Sequence, residues 1–257
     1  MYSVFLAWLQ DRDSTERAAL KLYLSDKAPD LSAAFIHLEE MNQLGWHDHF
    51  EHLDDYGLIQ FIDRDIHPVY LRLTEAVLLP FLRIAAHFSR KDRDKGTDGL
   101  DVWSVTQELK ESPIEKATLS YRNTVRNGIA HGGITYLQQE IRYRDKKDNE
   151  EKITGSTMIR LVDDMFDVCH ALTAAISVFI LAGRPHGYNL PRQLLVDELK
   201  EETRTPWWKI VGCTPSEFSG LNQLIIYARP QTSGVCQDSC PVTFTMIYKL
   251  YSLARIS

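Results

Sequence analysis

The sequence predicts a mostly α-helical protein: a helical bundle with a small β-hairpin insertion and a C-terminal segment with strand-like runs. Apolar residues recur at helical spacing through the first two-thirds of the chain. The remainder differs in character, with several Pro and Gly and two strand-like runs. A chain of 257 residues, 44% of them hydrophobic, can form one large domain with appendages.

Residues 1–66 are expected to form an N-terminal helical subdomain. The segment Asp13-Ser14-Thr15-Glu16 has the form of a capping box, and the helical period continues through Leu20. A break at Pro29 precedes another short helix, which Gly45 ends. Further short helices are expected around 50–53 and 58–62.

A longer helix is predicted from about Val69 to Ser89. His67-Pro68 opens it, because the missing N–H of proline costs nothing in a first helical turn. Pro80 lies inside the same helix and should kink it. The charged, glycine-containing run 90–99 then predicts a loop, followed by a short helix at 102–110.

The clearest helix start in the chain is Ser112-Pro113-Ile114-Glu115. It combines a Ser cap, Pro at the first helical position and Glu three residues after the cap. Gly132-Gly133 is a natural end, because glycine accepts the left-handed cap conformation. We therefore predict one helix from Ser112 to His131. Its apolar stripe would be Ile114, Ala117, Tyr121, Val125 and Ile129.

A β-hairpin is predicted after this helix. Aromatic and β-branched residues occupy Ile134 to Tyr143, a polar turn covers 145–151, and the run 152–159 can pair back. A long helix follows, roughly from Ser156 to Leu181. Its most apolar stretch, 171–183, is too short to span a bilayer, so we expect a buried core helix and no membrane contact. Residues 185–257 form a C-terminal extension, with strand-like runs at 221–228 and 242–251.

Charge and cysteine usage narrow the class of protein. A net charge of −6 argues against a protein that coats nucleic acid, but leaves room for local RNA binding by a small basic cluster. The first residues do not read as a signal peptide, since no basic stretch precedes the apolar ones. The protein is therefore expected to be cytoplasmic, with its four cysteines reduced.

The most specific signal is the segment 121–133, which gathers Arg126, Asn127 and His131 at a predicted helix end. Arginine is always charged and its fork fits a phosphate, whereas histidine acts as a general base or acid near neutrality. The amide of Asn127 can orient the base or hold the phosphate. Such a set suits RNA cleavage without metal or cofactor: His131 assists attack by the ribose 2′-OH, and Arg126 stabilises charge on the phosphate.

Helical spacing suggests how these side chains are arranged. Arg126 and His131 are five residues apart and thus roughly 140° apart around a helix axis, which favours a site assembled between two copies of the chain. The predicted hairpin tip is basic; a solvated turn explains it adequately, and contact with RNA phosphates is the functional alternative. The candidate RNA-binding residues are Arg122, Asn123, Arg142, Arg144, Lys146 and Lys147.

The segment Arg126-Asn127-Gly128-Ile129-Ala130-His131 resembles the signature of HEPN domains: arginine, a polar residue, three residues, then histidine. The family places this motif near the end of a long helix and follows it with another, and the predicted element order is similar. The resemblance covers roughly Pro68 to Gly183. It implies three regions: an N-terminal subdomain at 1–66, a HEPN-like helical bundle at 67–184 and an extension at 185–257.

The resemblance also implies a function. HEPN domains typically dimerise to form a composite, metal-independent RNA-cleaving site, with Arg126, Asn127 and His131 as the corresponding residues here. Toxins and phage-defence effectors are found in the family, so an antitoxin or regulatory protein is an expected partner beside RNA and a second copy. Some members have lost catalysis. A silent adaptor, or a helical module that binds nucleotides or proteins, is therefore the alternative.

Three other segments carry weaker signals. His49 and His52 are three residues apart and could bind a metal on one helix face, but an exposed acidic helix start explains them better. Cys236 and Cys240, even with Cys213, lack the two close pairs of a zinc ribbon. Trp207-Trp208 could stack bases, although packing is the better explanation.

Overall fold

The computed structural model of the protein describes residues 1–44, 53–182, 188, 208–218 and 221–230. This part of the chain is mostly α-helical with a small antiparallel sheet, as the sequence predicts. The predicted strand-like run at 242–251 lies outside the described residues. The run at 221–228 is confirmed, because β4 (Trp208–Phe218) and β5 (Leu221–Pro230) form an antiparallel pair.

The N-terminal helices are α1 (Tyr2–Asp26) and α2 (Ala28–Asn42). The helix start predicted at Asp13 falls inside α1, which begins at Tyr2 and has a kink at Glu16, where the backbone is non-helical, with φ −137° and ψ 39°. Just before that kink, the Ser14 and Thr15 hydroxyls donate to the Asp11 carbonyl at 2.7 and 3.0 Å. Such local side-chain bonds compete with the helical ladder and bend helices.

A continuous helical rod follows: α3 (Asp55–Phe61), a π-helical turn (Ile62–Ile66), α4 (His67–Arg72), a second π-helical turn (Leu73–Leu78) and α5 (Leu79–Lys91). The rod begins where the Asp54 carboxylate accepts the Gly57 N–H at 2.7 Å. The helix predicted from Val69 to Ser89 is therefore longer than expected. The disturbance expected at Pro80 is the wide π turn that precedes it, and the helix continues.

The boundary expected at residue 67 falls inside this rod. A single buried cluster includes Phe5 and Leu31 from the first 66 residues together with Tyr70 and Val162 from the following region. The N-terminal helices thus contribute to the same core as the segment that carries the motif.

The single helix predicted from Ser112 to His131 is wrong. The chain forms α6 (Val102–Glu108), a 3-10 turn (Glu115–Thr118) and then the short α7 (Asn123–Ala130). The buried phenol of Tyr70 separates the last two, since it donates to the Ser120 carbonyl at 3.2 Å and accepts the Arg122 N–H at 2.8 Å. Arg122 is held in extended backbone, with φ −119° and ψ 108°, so no helix can pass through it.

The predicted hairpin is instead a three-stranded antiparallel sheet of β1 (Ile134–Tyr136), β2 (Ile141–Arg144) and β3 (Glu150–Ile153). The polar turn lies at the predicted place but is shorter, since Glu150 already pairs with Arg144. The segment 134–143 folds back on itself through a turn at 137–140, with Ile134 opposite Tyr143.

The last described helix, α8 (Gly155–Ala182), confirms the predicted long helix. Its 28 residues, with mean hydropathy 1.9 in the most apolar window, are long and apolar enough to cross a membrane. Its buried face, which includes Val162 and Cys169, packs against α1, α2 and the helical rod. This packing is compatible with a soluble protein.

Candidate functional site

A cleft of about 580 Å³ opens where α7, the β2–β3 turn and the start of α6 meet. The predicted catalytic residues Arg126, Asn127 and His131 all line it. Of the predicted RNA-binding residues, Asn123, Lys146 and Lys147 also line the cleft, whereas Arg122, Arg142 and Arg144 do not.

The end of α7 determines where His131 lies. The Gly133 N–H donates to the Gly128 carbonyl at 2.7 Å, the Gly132 N–H donates to the Ile129 carbonyl at 3.4 Å, and Gly132 has a φ of +72°. This is a Schellman cap, as Gly-Gly predicts. His131 is the capping residue, with φ −116° and ψ 8°. Because it lies beyond the regular helix, the 140° separation does not apply, and His131 lines the same cleft as Arg126 within one chain.

Two glycines allow the sheet to approach α7 closely. A Cβ on Gly128 would lie 2.9 Å from the Tyr143 Cβ, and one on Gly133 would collide with the Arg144 carbonyl oxygen. The Arg144 N–H also donates to the Gly133 carbonyl at 2.8 Å. This close contact brings the β2–β3 turn beside the motif.

A chain of hydrogen bonds orients the polar groups of α7. Arg126 Nε donates to Glu75 Oε1 at 2.7 Å, and its NH1 donates to Asn127 Oδ1 at 2.8 Å. Asn127 Nδ2 then donates to Asn123 Oδ1 at 3.3 Å, which also accepts the Tyr121 hydroxyl at 2.9 Å. The guanidinium is therefore fixed on one side by a carboxylate and on the other by an amide.

His131 differs from these residues in being exposed. Its backbone N–H donates to the Asn127 carbonyl at 3.1 Å, but its ring makes no hydrogen bond or ion pair with any residue that the structure describes. Both ring nitrogens of His131 are thus accessible to a molecule in the cleft.

The β2–β3 turn is organised by Asp145. Its carboxylate accepts the backbone N–H groups of Lys147 and Asn149 at 2.8 and 3.0 Å and the Asn149 side-chain amide at 2.9 Å. These bonds, the Asn149 side chain foremost, hold the pKa of Asp145 below its usual value. The turn presents the exposed Lys146 and Lys147 to the cleft.

The three arginines that do not line the cleft have acidic neighbours. Arg122 lies 3.9 Å from Glu151, Arg142 lies 3.9 Å from Glu150, and Arg144 lies 3.8 Å from Asp148. The basic hairpin that was predicted to contact RNA therefore has two parts. Lys146 and Lys147 line the cleft, whereas Arg142 and Arg144 lie outside it, near acidic side chains.

Sequence reasoning missed several residues at this site, among them Glu75, Asp101, Trp103 and Asp145. Asp101 caps α6 by accepting the Ser104 N–H at 2.8 Å, and the bonds from Ser104 hold the pKa of Asp101 below its usual value. An Asp before an apolar run is a recognisable cap signal, so Asp101 was predictable. Glu75 was not, because its partner Arg126 lies 51 positions away in the sequence.

A buried polar pair ties the sheet to α4 behind the cleft. His67, with 2% of its surface exposed, places Nε2 2.8 Å from the Tyr143 hydroxyl. Its Nδ1 lies 3.7 Å from Asp63, which accepts the Tyr136 hydroxyl at 2.6 Å. Burial lowers the pKa of His67 to about 4 and raises the pKa of the Tyr143 hydroxyl.

The weaker sequence candidates are not at this site. His49, His52, Cys236, Cys240 and Trp207 lie outside the described residues, as do the side chains of Cys213 and Trp208. Within the described ranges, no three His, Cys, Asp or Glu side chains cluster as metal ligands. Cys169 is a buried free thiol, and burial raises its pKa.

Comparisons with protein-family models, with curated proteins and with solved structures find no match for the chain. The resemblance to HEPN domains therefore rests on the motif and on the long helix α8 that follows it, because the motif itself lies in the eight-residue α7 and not in a long helix. It stays a prediction.

Proposed function

We propose that the protein is a metal-independent endoribonuclease of the HEPN type, acting as a homodimer in the cytoplasm as a toxin or phage-defence effector. One observation carries the proposal: Arg126, Asn127 and His131 line a single cleft together with Lys146 and Lys147. A fixed cation, an accessible imidazole and two exposed ammonium groups match the needs of phosphodiester cleavage in RNA.

The proposed reaction is an internal transfer. The ribose 2′ oxygen attacks the adjacent phosphorus while the bond from phosphorus to the 5′ oxygen breaks, which leaves a 2′,3′-cyclic phosphate and a 5′-hydroxyl. His131 takes the proton of the 2′-OH. In the homodimer, the 5′ oxygen receives a proton from the imidazolium of the partner's His131, so no proton is gained or lost overall.

Arg126 is assigned the stabilisation of charge on the phosphate oxygens. Its Nε and one terminal nitrogen face Glu75, and its NH1 faces Asn127. A guanidinium held from two sides needs little reorganisation when charge develops on the phosphate, which is the basis of electrostatic catalysis. Glu75 is a positioning residue in this scheme, since it acts through Arg126.

Regulation is part of the proposal. A free ribonuclease would damage its own cell, so an antitoxin or another regulatory protein is expected to restrain it. We place that control in residues 1–66 and 185–257, which flank the region that resembles a HEPN domain.

The test is cleavage of a structured RNA by purified full-length protein in EDTA. Wild-type protein is expected to cleave, and Arg126→Ala and His131→Ala to lose activity by at least about 100-fold, the usual scale for a general base or an electrostatic group. Matched controls are His170→Ala, whose exposed imidazole bonds Asn42, and Arg64→Ala, whose side chain is 80% exposed. His131→Ala with wild-type activity would sink the proposal, and a protein that stays monomeric at micromolar concentration would count against a site shared between two copies.

A second candidate is a catalytically silent adaptor that binds nucleotides or proteins. The observation in its favour is the ion pair between Arg126 and Glu75, which offsets part of the charge that a phosphate would meet. This candidate predicts that wild-type protein does not cleave RNA, so the same assay separates the two functions.

A further inference from the structure

Trp103 is an exposed aromatic residue in the wall of the candidate site. It lies in the first turn of α6 and lines the cleft with Arg126 and His131, and 47% of its surface is exposed. Its indole makes no ring contact or hydrogen bond with any part of the chain that the structure describes. A half-exposed aromatic ring in the wall of a cleft is available to a molecule bound there.

The backbone that carries Trp103 is rigidly held. The guanidinium of Arg83 donates to the Leu100 carbonyl through Nε and NH2 at 2.9 and 2.6 Å, and Asp101 caps the first turn. Val102 and Val105 anchor the other face of α6, with 3% and 0% of their surfaces exposed. A ring presented by a fixed helix loses little conformational freedom when a ligand stacks on it.

The neighbours of Trp103 indicate the chemistry of that ligand. The same cleft carries the cations of Arg126, Lys146 and Lys147 and the amides of Asn123 and Asn127. Proteins that bind single-stranded nucleic acid combine such elements, with cations along the backbone and aromatic rings under the bases. A cleft of about 580 Å³ is within the usual range of ligand sites, roughly 300–1,000 Å³.

We infer that Trp103 stacks on an unpaired base of single-stranded RNA whose phosphates contact Lys146 and Lys147. The inference rests on the proposed function for its choice of RNA, and it adds the requirement that the bound segment be unpaired. A base inside a duplex presents no free face to an indole, whereas a base in a loop or bulge does.

The inference is tested by binding of a fluorescently labelled 2′-O-methyl oligonucleotide to the full-length protein. Fluorescence anisotropy measures the affinity. This probe has no free 2′-OH and cannot be cleaved by the proposed route. Trp103→Ala is expected to weaken binding about tenfold, and Trp103→Phe, which keeps a ring, less than threefold. The control Tyr56→Ala removes another aromatic ring, 68% exposed and absent from the cleft lining, and should leave binding unchanged. An abasic oligonucleotide with the same phosphates should bind wild type weakly and be insensitive to Trp103→Ala.

The outcomes separate this inference from the proposed function. Oligonucleotide binding that depends on Trp103, with no cleavage of ordinary RNA by the wild type, would support the inference and overturn the proposed nuclease function. Cleavage of ordinary RNA by the wild type, with unchanged affinity of Trp103→Ala for the oligonucleotide, would support the nuclease function and overturn the inference. Three further results would overturn the inference: equal affinity for the abasic probe, equal affinity for a fully paired duplex, or no binding of the oligonucleotide by wild type.

Discussion

The carboxylate of Glu75 holds the guanidinium of Arg126, with Nε donating to Oε1 at 2.7 Å and a terminal nitrogen against the same oxygen. Glu75 lies in the second π-helical turn and Arg126 in α7, so the pair joins two elements distant in sequence. The contact orients the guanidinium of Arg126 towards the cleft and offsets part of its positive charge.

Replacement of Glu75 should separate these two effects. We expect Glu75→Gln to bind RNA more tightly, because Arg126 loses its counter-charge, yet to cleave it about tenfold more slowly, because the guanidinium is less firmly aimed. Single-turnover kinetics and binding to an uncleavable RNA measure the two quantities. Glu40→Gln, which removes the partner of Arg72 outside the cleft, is the control. A parallel change in rate and affinity would contradict a positioning role.

Tyr70→Phe should destabilise the start of α7. The phenol bonds both the Ser120 carbonyl and the Arg122 N–H, and removing it leaves two backbone groups without their partner. We expect a loss of about 1–3 kcal/mol in the free energy of unfolding, measured by urea denaturation. Tyr56→Phe, in which the ring is 68% exposed, should change it by less than about 0.5 kcal/mol. Equal stability of the two variants would refute this account.

Gly128→Ala tests the close packing of α7 on the sheet. Alanine is favoured over glycine inside a helix by about 1 kcal/mol, so an uncrowded site would be stabilised. Here the added Cβ meets the Tyr143 Cβ at 2.9 Å and the Arg144 nitrogen at 3.3 Å. We expect a net destabilisation of about 1–2 kcal/mol in urea denaturation. Gly96→Ala, where the added Cβ has no neighbour within 4 Å, is the control. A stabilised Gly128→Ala would disprove the packing.

His67 should make the protein sensitive to mild acid. Burial lowers its pKa from 6.5 to about 4, so the unfolded chain takes up the proton first as the pH falls. The stabilisation is therefore present above about pH 6.5 and is lost towards pH 4, and the shift corresponds to about 3 kcal/mol. Urea denaturation between these pH values should show a shallower pH dependence in His67→Gln. An unchanged slope would mean that groups other than His67 dominate the pH dependence of stability.

Local patterns predicted much of the fold. The helical class, α8, the Gly-Gly end of α7 and the strand β5 follow from periodicity and turn residues, whereas β4 was not predicted. The burial of Ile114, Ala117 and Val125 was also predictable, although the helix expected to carry them is broken. Burial depends on which residues are apolar, whereas the break depends on a single phenol from α4.

Long-range contacts account for the errors. The capping box predicted at Ser112–Glu115 does not form, since the Ser112 hydroxyl accepts the Ile114 N–H and the Glu115 carboxylate accepts the Glu111 N–H. Further along, Tyr70, some 50 positions earlier in the sequence, bonds the backbone at Ser120 and Arg122. In the same way, the motif identified Arg126, Asn127 and His131 as candidate residues, but no sequence pattern predicts the ion pair between Glu75 and Arg126. Only the fold places Trp103 in the same cleft.

The wide turn at Leu73–Leu78 has an evolutionary consequence. Tyr70 and Glu75 lie five residues apart, a spacing that a regular α-helix would turn through roughly 140°, while a π turn bonds residues five apart and narrows that angle. The two side chains thereby reach opposite ends of one short segment, at Ser120 and Arg126. A one-codon deletion between Tyr70 and Glu75 is expected to rotate these two side chains relative to each other while altering none of the residues that line the cleft. The arrangement around Arg126 thus depends on the number of residues in a different helix.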